Sequence, residues 1–148
     1  MTQENENILI RDLCSRLPYR VKCFVPIENS IMELTGKRLN YFCFHKEEWG
    51  FDYSHELEIV LDPLNDMHNE QIIKPYLHSM SSMTTEECME LGELPVSFES
   101  IGKLLPNTPY YIEVIKPEQI DWLNAHHFDY RGLIEKGLAL EAPKGMYN

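Results

Sequence analysis

The stretch Ile120-Asp-Trp-Leu-Asn-Ala-His-His-Phe-Asp-Tyr-Arg-Gly-Leu-Ile-Glu-Lys-Gly-Leu-Ala-Leu-Glu-Ala-Pro143 decides the class of this chain. Just ahead of it, Pro117 suits the first position of a helix, where a backbone N–H has no partner to lose, and Glu118 complements the positive end of the helix dipole. Ile120 and Leu123 begin a buried stripe that the ring of His127 continues. Asp129 stands where it can cap a second short helix, with Tyr130, Leu133 and Ile134 turned inward and Gly137 ending it in a left-handed conformation. The chain is therefore expected to close with two short helices.

Strands precede them. Tyr110–Ile115 alternates, with Ile112 and Val114 opposed to Glu113, and Glu56–Leu61 sets Leu57, Ile59 and Leu61 against Glu56 and Glu58. A period of two marks a half-buried strand. Ser30–Leu34 and Leu39–His45 flank Thr35-Gly36-Lys37, which reads as a hairpin connection, and Tyr19–Val25 reads as a first strand ending at Pro26.

Ile8, Leu9, Leu13 and Leu17 recur at near-helical spacing, with Asn7 as cap and Pro18 as stop, so residues 1–7 are expected to fray. In the middle, Thr84-Thr-Glu-Glu87 has the form of a capping box, and Gly92 follows where a C-terminal cap belongs. Residues 72–83 show no clear period, and Pro75 interrupts any helix there. A run of strands, a mixed middle and helices at the end predict an α+β fold: a single domain, 1–148, with a mostly antiparallel sheet.

Composition bounds the function. Hydrophobic content of 43% and aromatic content of 11% over 148 residues are globular values and supply a real core. A net charge of −11 disfavours duplex nucleic acid, whose affinity comes from phosphate neutralisation, and disfavours an anionic membrane surface. No apolar run approaches the roughly 20 residues that cross a bilayer. The start, Met1-Thr-Gln-Glu-Asn-Glu-Asn7, lacks the basic and apolar regions of a signal peptide, which gives a cytoplasmic expectation. Cys14, Cys23, Cys43 and Cys88 form no Cys-x-x-Cys pair and read as reduced, small hydrophobes.

The candidate chemistry is thin. His126 and His127 are adjacent, so on a helix they diverge by about 100° and do not make the i, i+4 pair that holds a metal. With Asp129 they are the residues a small hydrolase would use; the plainer reading packs one histidine at a helix end and leaves the other solvated. Cys43 and His45 share a strand face but lie too close in sequence for an unstrained nucleophile–base hydrogen bond. The glycines form no phosphate-binding loop, and no cofactor or metal is implied. Glu47, Glu48, Trp49 and Tyr53 combine charge with aromatic rings in one polar segment, the composition of a contact anchor.

Two blocks carry a resemblance. Lys74-Pro-Tyr-Leu77 with Met80-Ser-Ser-Met-Thr84 and Glu86-Glu87, and Trp122 to Pro143 with Gly145-Met-Tyr147, resemble a family of small proteins from prophages and mobile elements of gut bacteria. His78 and Ser79 depart from Arg-Pro in that family, and Lys144 from an acidic residue. The resemblance covers under half the chain and implies a phage-related cytoplasmic setting, with no assigned activity and no catalytic residue to transfer.

The expectation is a non-enzymatic accessory or regulatory protein that binds a protein partner with a basic surface; self-association is left open. The candidate contacts are Glu47, Glu48, Trp49, Tyr53, His126, His127, Asp129 and Arg131. The alternative is a small-molecule or nucleotide-sequestering protein using Arg131 and Lys136, and the third reading is the hydrolase of His126, His127 and Asp129.

Overall fold

The computed structural model describes residues 2–38, 41–47, 54–60, 73–92 and 116–147. The strand expected at 110–115 lies outside them. The fold is α+β with mostly antiparallel strand pairing, and two of the three α-helices among the described residues lie in the C-terminal half. The chain divides into two compact units, Met1–Tyr76 and Leu77–Asn148.

The first unit opens with α1, Gln3–Ser15, whose cap is Thr2: its side chain accepts from the Asn5 N–H at 3.2 Å. The helix thus starts about a turn before the expected cap at Asn7, and the acidic tip is helical rather than frayed, because Glu4 and Glu6 complement its positive end. One face buries Leu9 and Leu13. A 3₁₀ turn at Leu17–Tyr19 and the left-handed Arg20 (φ 52°) follow, which shortens the first strand to β1, Lys22–Val25.

β1 pairs antiparallel with β2, Ser30–Arg38; β2 with β3, Tyr41–Glu47; and β3 with β4, Ser54–Val60. The expected turn at Thr35-Gly36-Lys37 is instead inside β2. The register shifts between Leu34 and Gly36, and pairing resumes to Arg38↔Tyr41. The extra residue is Thr35, whose hydroxyl donates to the Cys43 carbonyl at 3.2 Å, and the glycine beside it eases the local bend of the bulge. On this sheet Cys23, Val25, Met32, Leu34, Phe42 and Phe44 are buried, the alternate residues of β1, β2 and β3. β5, Lys74–Leu77, adds to the free side of β1 with Phe24 opposite Lys74 and Cys23 opposite Pro75.

In the second unit, α2, Thr85–Leu91, has the full capping box. Thr84 Oγ1 accepts from the Glu87 N–H and Glu87 Oε1 accepts from the Thr84 N–H, both at 3.2 Å. α3, Pro117–Ala125, begins at its proline. Its Gln119 donates through Nε2 to the Leu91 carbonyl at 3.1 Å, which fastens α3 to the end of α2. Met80, Leu91, Leu123, Phe128 and Tyr130 form the core of this unit, with Met83, Ile120 and Trp122 packed against it. Residues 133–137 make successive turns rather than the second terminal helix, ending at Gly137 with φ 73°. The two-residue strand β6, Leu140–Glu141, follows, and Ala142 donates to the Leu77 carbonyl at 2.8 Å.

Candidate functional site

The terminal block is organised by the way α3 stops. His126 is its cap, and His127 takes a left-handed conformation with φ 59°. The His127 N–H bonds the Asn124 carbonyl at 3.2 Å and the Phe128 N–H reaches back to the Leu123 carbonyl at 2.9 Å. These two bonds and the contact of Phe128 with Leu123 in one core cluster are the signature of a Schellman ending, in which the residue after the cap turns left-handed. Glycine is the usual occupant. Histidine is among the residues that tolerate this region best.

That turn separates the two histidines. His126 is exposed; its ring stacks on Trp122 at 3.9 Å between centroids and 16° between planes, and its Nδ1 donates to the Trp122 carbonyl at 2.9 Å. A carbonyl only accepts, so Nδ1 carries a proton. His127 is buried and its ring lies flat against Tyr147 at 3.8 Å.

Beyond the turn the backbone runs alongside residue 78. His78 donates to the His127 carbonyl and Asp129 donates to the His78 carbonyl, both at 2.8 Å, giving a parallel bridge between His78 and Phe128. Rings then link in a chain. Trp122 lies parallel to Phe128 at 5.8 Å, His78 tilts against Phe128 at 5.5 Å, and His78 meets Tyr147 edge-on at 5.7 Å.

Asp129 is buried, and each of its carboxylate oxygens has a backbone donor: Oδ1 accepts from the Leu133 N–H at 2.8 Å and Oδ2 from the Ile134 N–H at 2.9 Å. It holds the turns that replace the expected helix. Tyr130 donates its hydroxyl to Asn124 Oδ1 at 3.0 Å, and the Arg131 guanidinium sits 4.7 Å over the Tyr130 ring. Among their contacts, His126 thus has a helix carbonyl, His127 a tyrosine ring and Asp129 two turn amides.

Of the other candidates, Glu47 is the last residue of β3, opposite Ser54, while Glu48, Trp49 and Tyr53 lie outside the described residues. Sequence reasoning missed His78 and Glu90. In the sequence His78 stands out only as a departure from the resembling family, yet its ring meets both Phe128 and Tyr147. Glu90, through Oε2, accepts from the Trp122 indole N–H at 3.3 Å. Among the described residues no group of three or more His, Cys, Asp or Glu comes together to hold a metal ion, and no helix is long and apolar enough to cross a membrane.

The first unit holds a second buried polar feature. Arg16 donates to Asp12 through Nε at 2.8 Å and Nη2 at 3.0 Å, with both side chains fully buried. Burial, reinforced by the Asp12 charge and opposed by that of Arg16, pushes the Cys23 thiol far above its ordinary range. Cys23 is therefore a protonated core residue rather than a nucleophile.

Comparison of the chain with protein-family models, with curated proteins and with solved structures returns no match.

Proposed function

We propose that this chain is a non-enzymatic accessory or regulatory protein that acts by binding another protein, one with a basic surface. The observation that carries the reading is Asp129, whose two oxygens accept the Leu133 and Ile134 amides. The carboxylate that the hydrolase reading needs thus serves as a turn-builder, and His126 and His127 belong to the helix ending beside it. What the chain offers a partner is its net charge of −11, which attracts a basic surface and speeds encounter. The setting we propose, a phage or other mobile element, rests on the resemblance of the blocks around Lys74 and Trp122.

Native mass spectrometry of the protein purified from cells that naturally express it tests the reading. The expected result is a complex with a second, basic protein that dissociates as salt is raised. A small molecule bound to the chain, with no protein partner, would overturn it in favour of sequestration. Retained binding after His126→Ala and His127→Ala, in variants that melt cooperatively, is the companion expectation.

A further inference from the structure

α2 and α3 together carry Glu86, Glu87, Glu90, Glu118 and Asp121, and no lysine or arginine lies within either helix. The Gln119–Leu91 and Trp122–Glu90 hydrogen bonds bring the two helices together, so the pair makes one acidic region of this unit, with Lys116 as the residue capping α3. Within the region stands Met89. It is 78% exposed, and it and Ile31 of the first unit are the exposed large hydrophobics among the described residues. Glu86 and Glu90 are its exposed neighbours on α2, and the half-buried Trp122 is tied to Glu90.

A long, flexible thioether held in water beside carboxylates gains nothing for the fold of the free chain. Methionine does suit a contact surface, because its unbranched, polarisable side chain adapts to an apolar anchor of varied shape. Glu86 and Glu90, four residues apart and so on one side of Met89, select what lies beside that anchor. We infer that the Met89 surface of α2 docks a basic amphipathic segment of the partner protein, an apolar side chain seated on Met89 and flanking lysines or arginines against Glu86 and Glu90. This rests on the protein-binding reading above and gives it a location and a chemistry. The argument for the occupant is charge complementarity: an acidic segment would meet like charge beside Met89, and a neutral one would leave the carboxylates without counter-charges.

The test titrates the full-length chain into a fluorescein-labelled synthetic helix of leucine and lysine with leucines at i, i+4, using a leucine–glutamate helix as control. The lysine helix should bind, and binding should weaken about tenfold between roughly 0.02 and 0.2 M salt as screening shortens. Met89→Ala should weaken it about fivefold, chiefly through faster dissociation, and Glu86→Lys about fivefold, chiefly through slower association. Glu135→Lys, at an exposed position in the terminal turns, should change it less than about twofold and reports the effect of net charge alone. Glu90 is left intact because it holds Trp122, and unaltered melting curves show that each variant is folded. If Met89→Ala and Glu86→Lys behave like Glu135→Lys, this surface is wrong while the basic-partner reading stands. If the lysine helix binds no better than the glutamate helix, both fall.

Discussion

Trp122 and His126, one helical turn apart, stack at 3.9 Å while the His126 Nδ1–H bonds the Trp122 carbonyl at 2.9 Å. One side chain thus caps an end carbonyl of α3 and covers an indole that also packs on Phe128. His126→Ala removes both contacts. It should lower stability by about 1 kcal/mol, the scale of one net hydrogen bond, read as a lower urea midpoint at unchanged slope.

His127 yields a prediction of unusual sign. At a helical position alanine outperforms glycine, but His127 has φ 59°, where a Cβ costs roughly 1–2 kcal/mol. Both His127→Gly and His127→Ala lose the stack on Tyr147, so their difference isolates the backbone. The glycine variant should be more stable by about 1 kcal/mol. The opposite order in paired thermal melts would sink the left-handed assignment.

Asp129→Ala deprives the Leu133 and Ile134 amides of their acceptors in one step. A buried donor left unsatisfied costs about 1–3 kcal/mol, and the Ile134 amide is only part-buried, so a loss of about 2–3 kcal/mol is expected. Asp129→Asn keeps one acceptor oxygen and should fall between the two. Hydrogen exchange gives the local readout: the amides of 133 and 134 should lose protection ahead of those of α1.

Breaking the Asp12–Arg16 pair should be worse than deleting it. Either Asp12→Leu or Arg16→Met alone removes one side of a buried ion pair, at about 3–5 kcal/mol, whereas the double replacement should come nearer the parent than the sum of the two. The double-mutant cycle decides this. Additive single effects would show that the pair is not closed off from water.

Cys23 links folding to pH at the alkaline end. Its folded thiol titrates well above the ordinary value of about 9, so the unfolded chain releases that proton first. The stability contributed is therefore full below about pH 9 and is lost as pH rises past it. Cys23→Ala should flatten this alkaline decline. In the native protein Cys23 should be the last of the four thiols to react with an alkylating reagent.

Much of the fold was legible because it is written in local chemistry. The Thr84–Glu87 capping box, Gly92 after α2 and Pro117 at the head of α3 satisfy or forgo backbone bonds within a few residues, so spacing alone reveals them. β5 was not legible. Pro75 reads as a helix breaker, and four residues are too few for periodicity to speak; yet Ile73, Pro75 and Leu77 are all buried, an alternation that the proline obscured. The hairpin was displaced for a related reason: Gly36 fits a turn as well as a bulge, and only pairing with Cys43 distinguishes them.

The sequence by itself determined the α+β class, the acidic net charge and the starts of α2 and α3, each of which depends on neighbours within a turn or on composition summed over the chain. Tertiary structure alone decided the roles of the terminal residues. Nothing local indicates that His127 would enter the left-handed region, that His78 would come alongside Phe128, or that Asp129 would accept the Leu133 and Ile134 amides. The same holds for Asp12 and Arg16, spaced like any exposed helix pair but fully buried. The physical reason is common to all of them. A polar group's role is set by which donors and acceptors remain once water is excluded, and that depends on segments brought together only by folding.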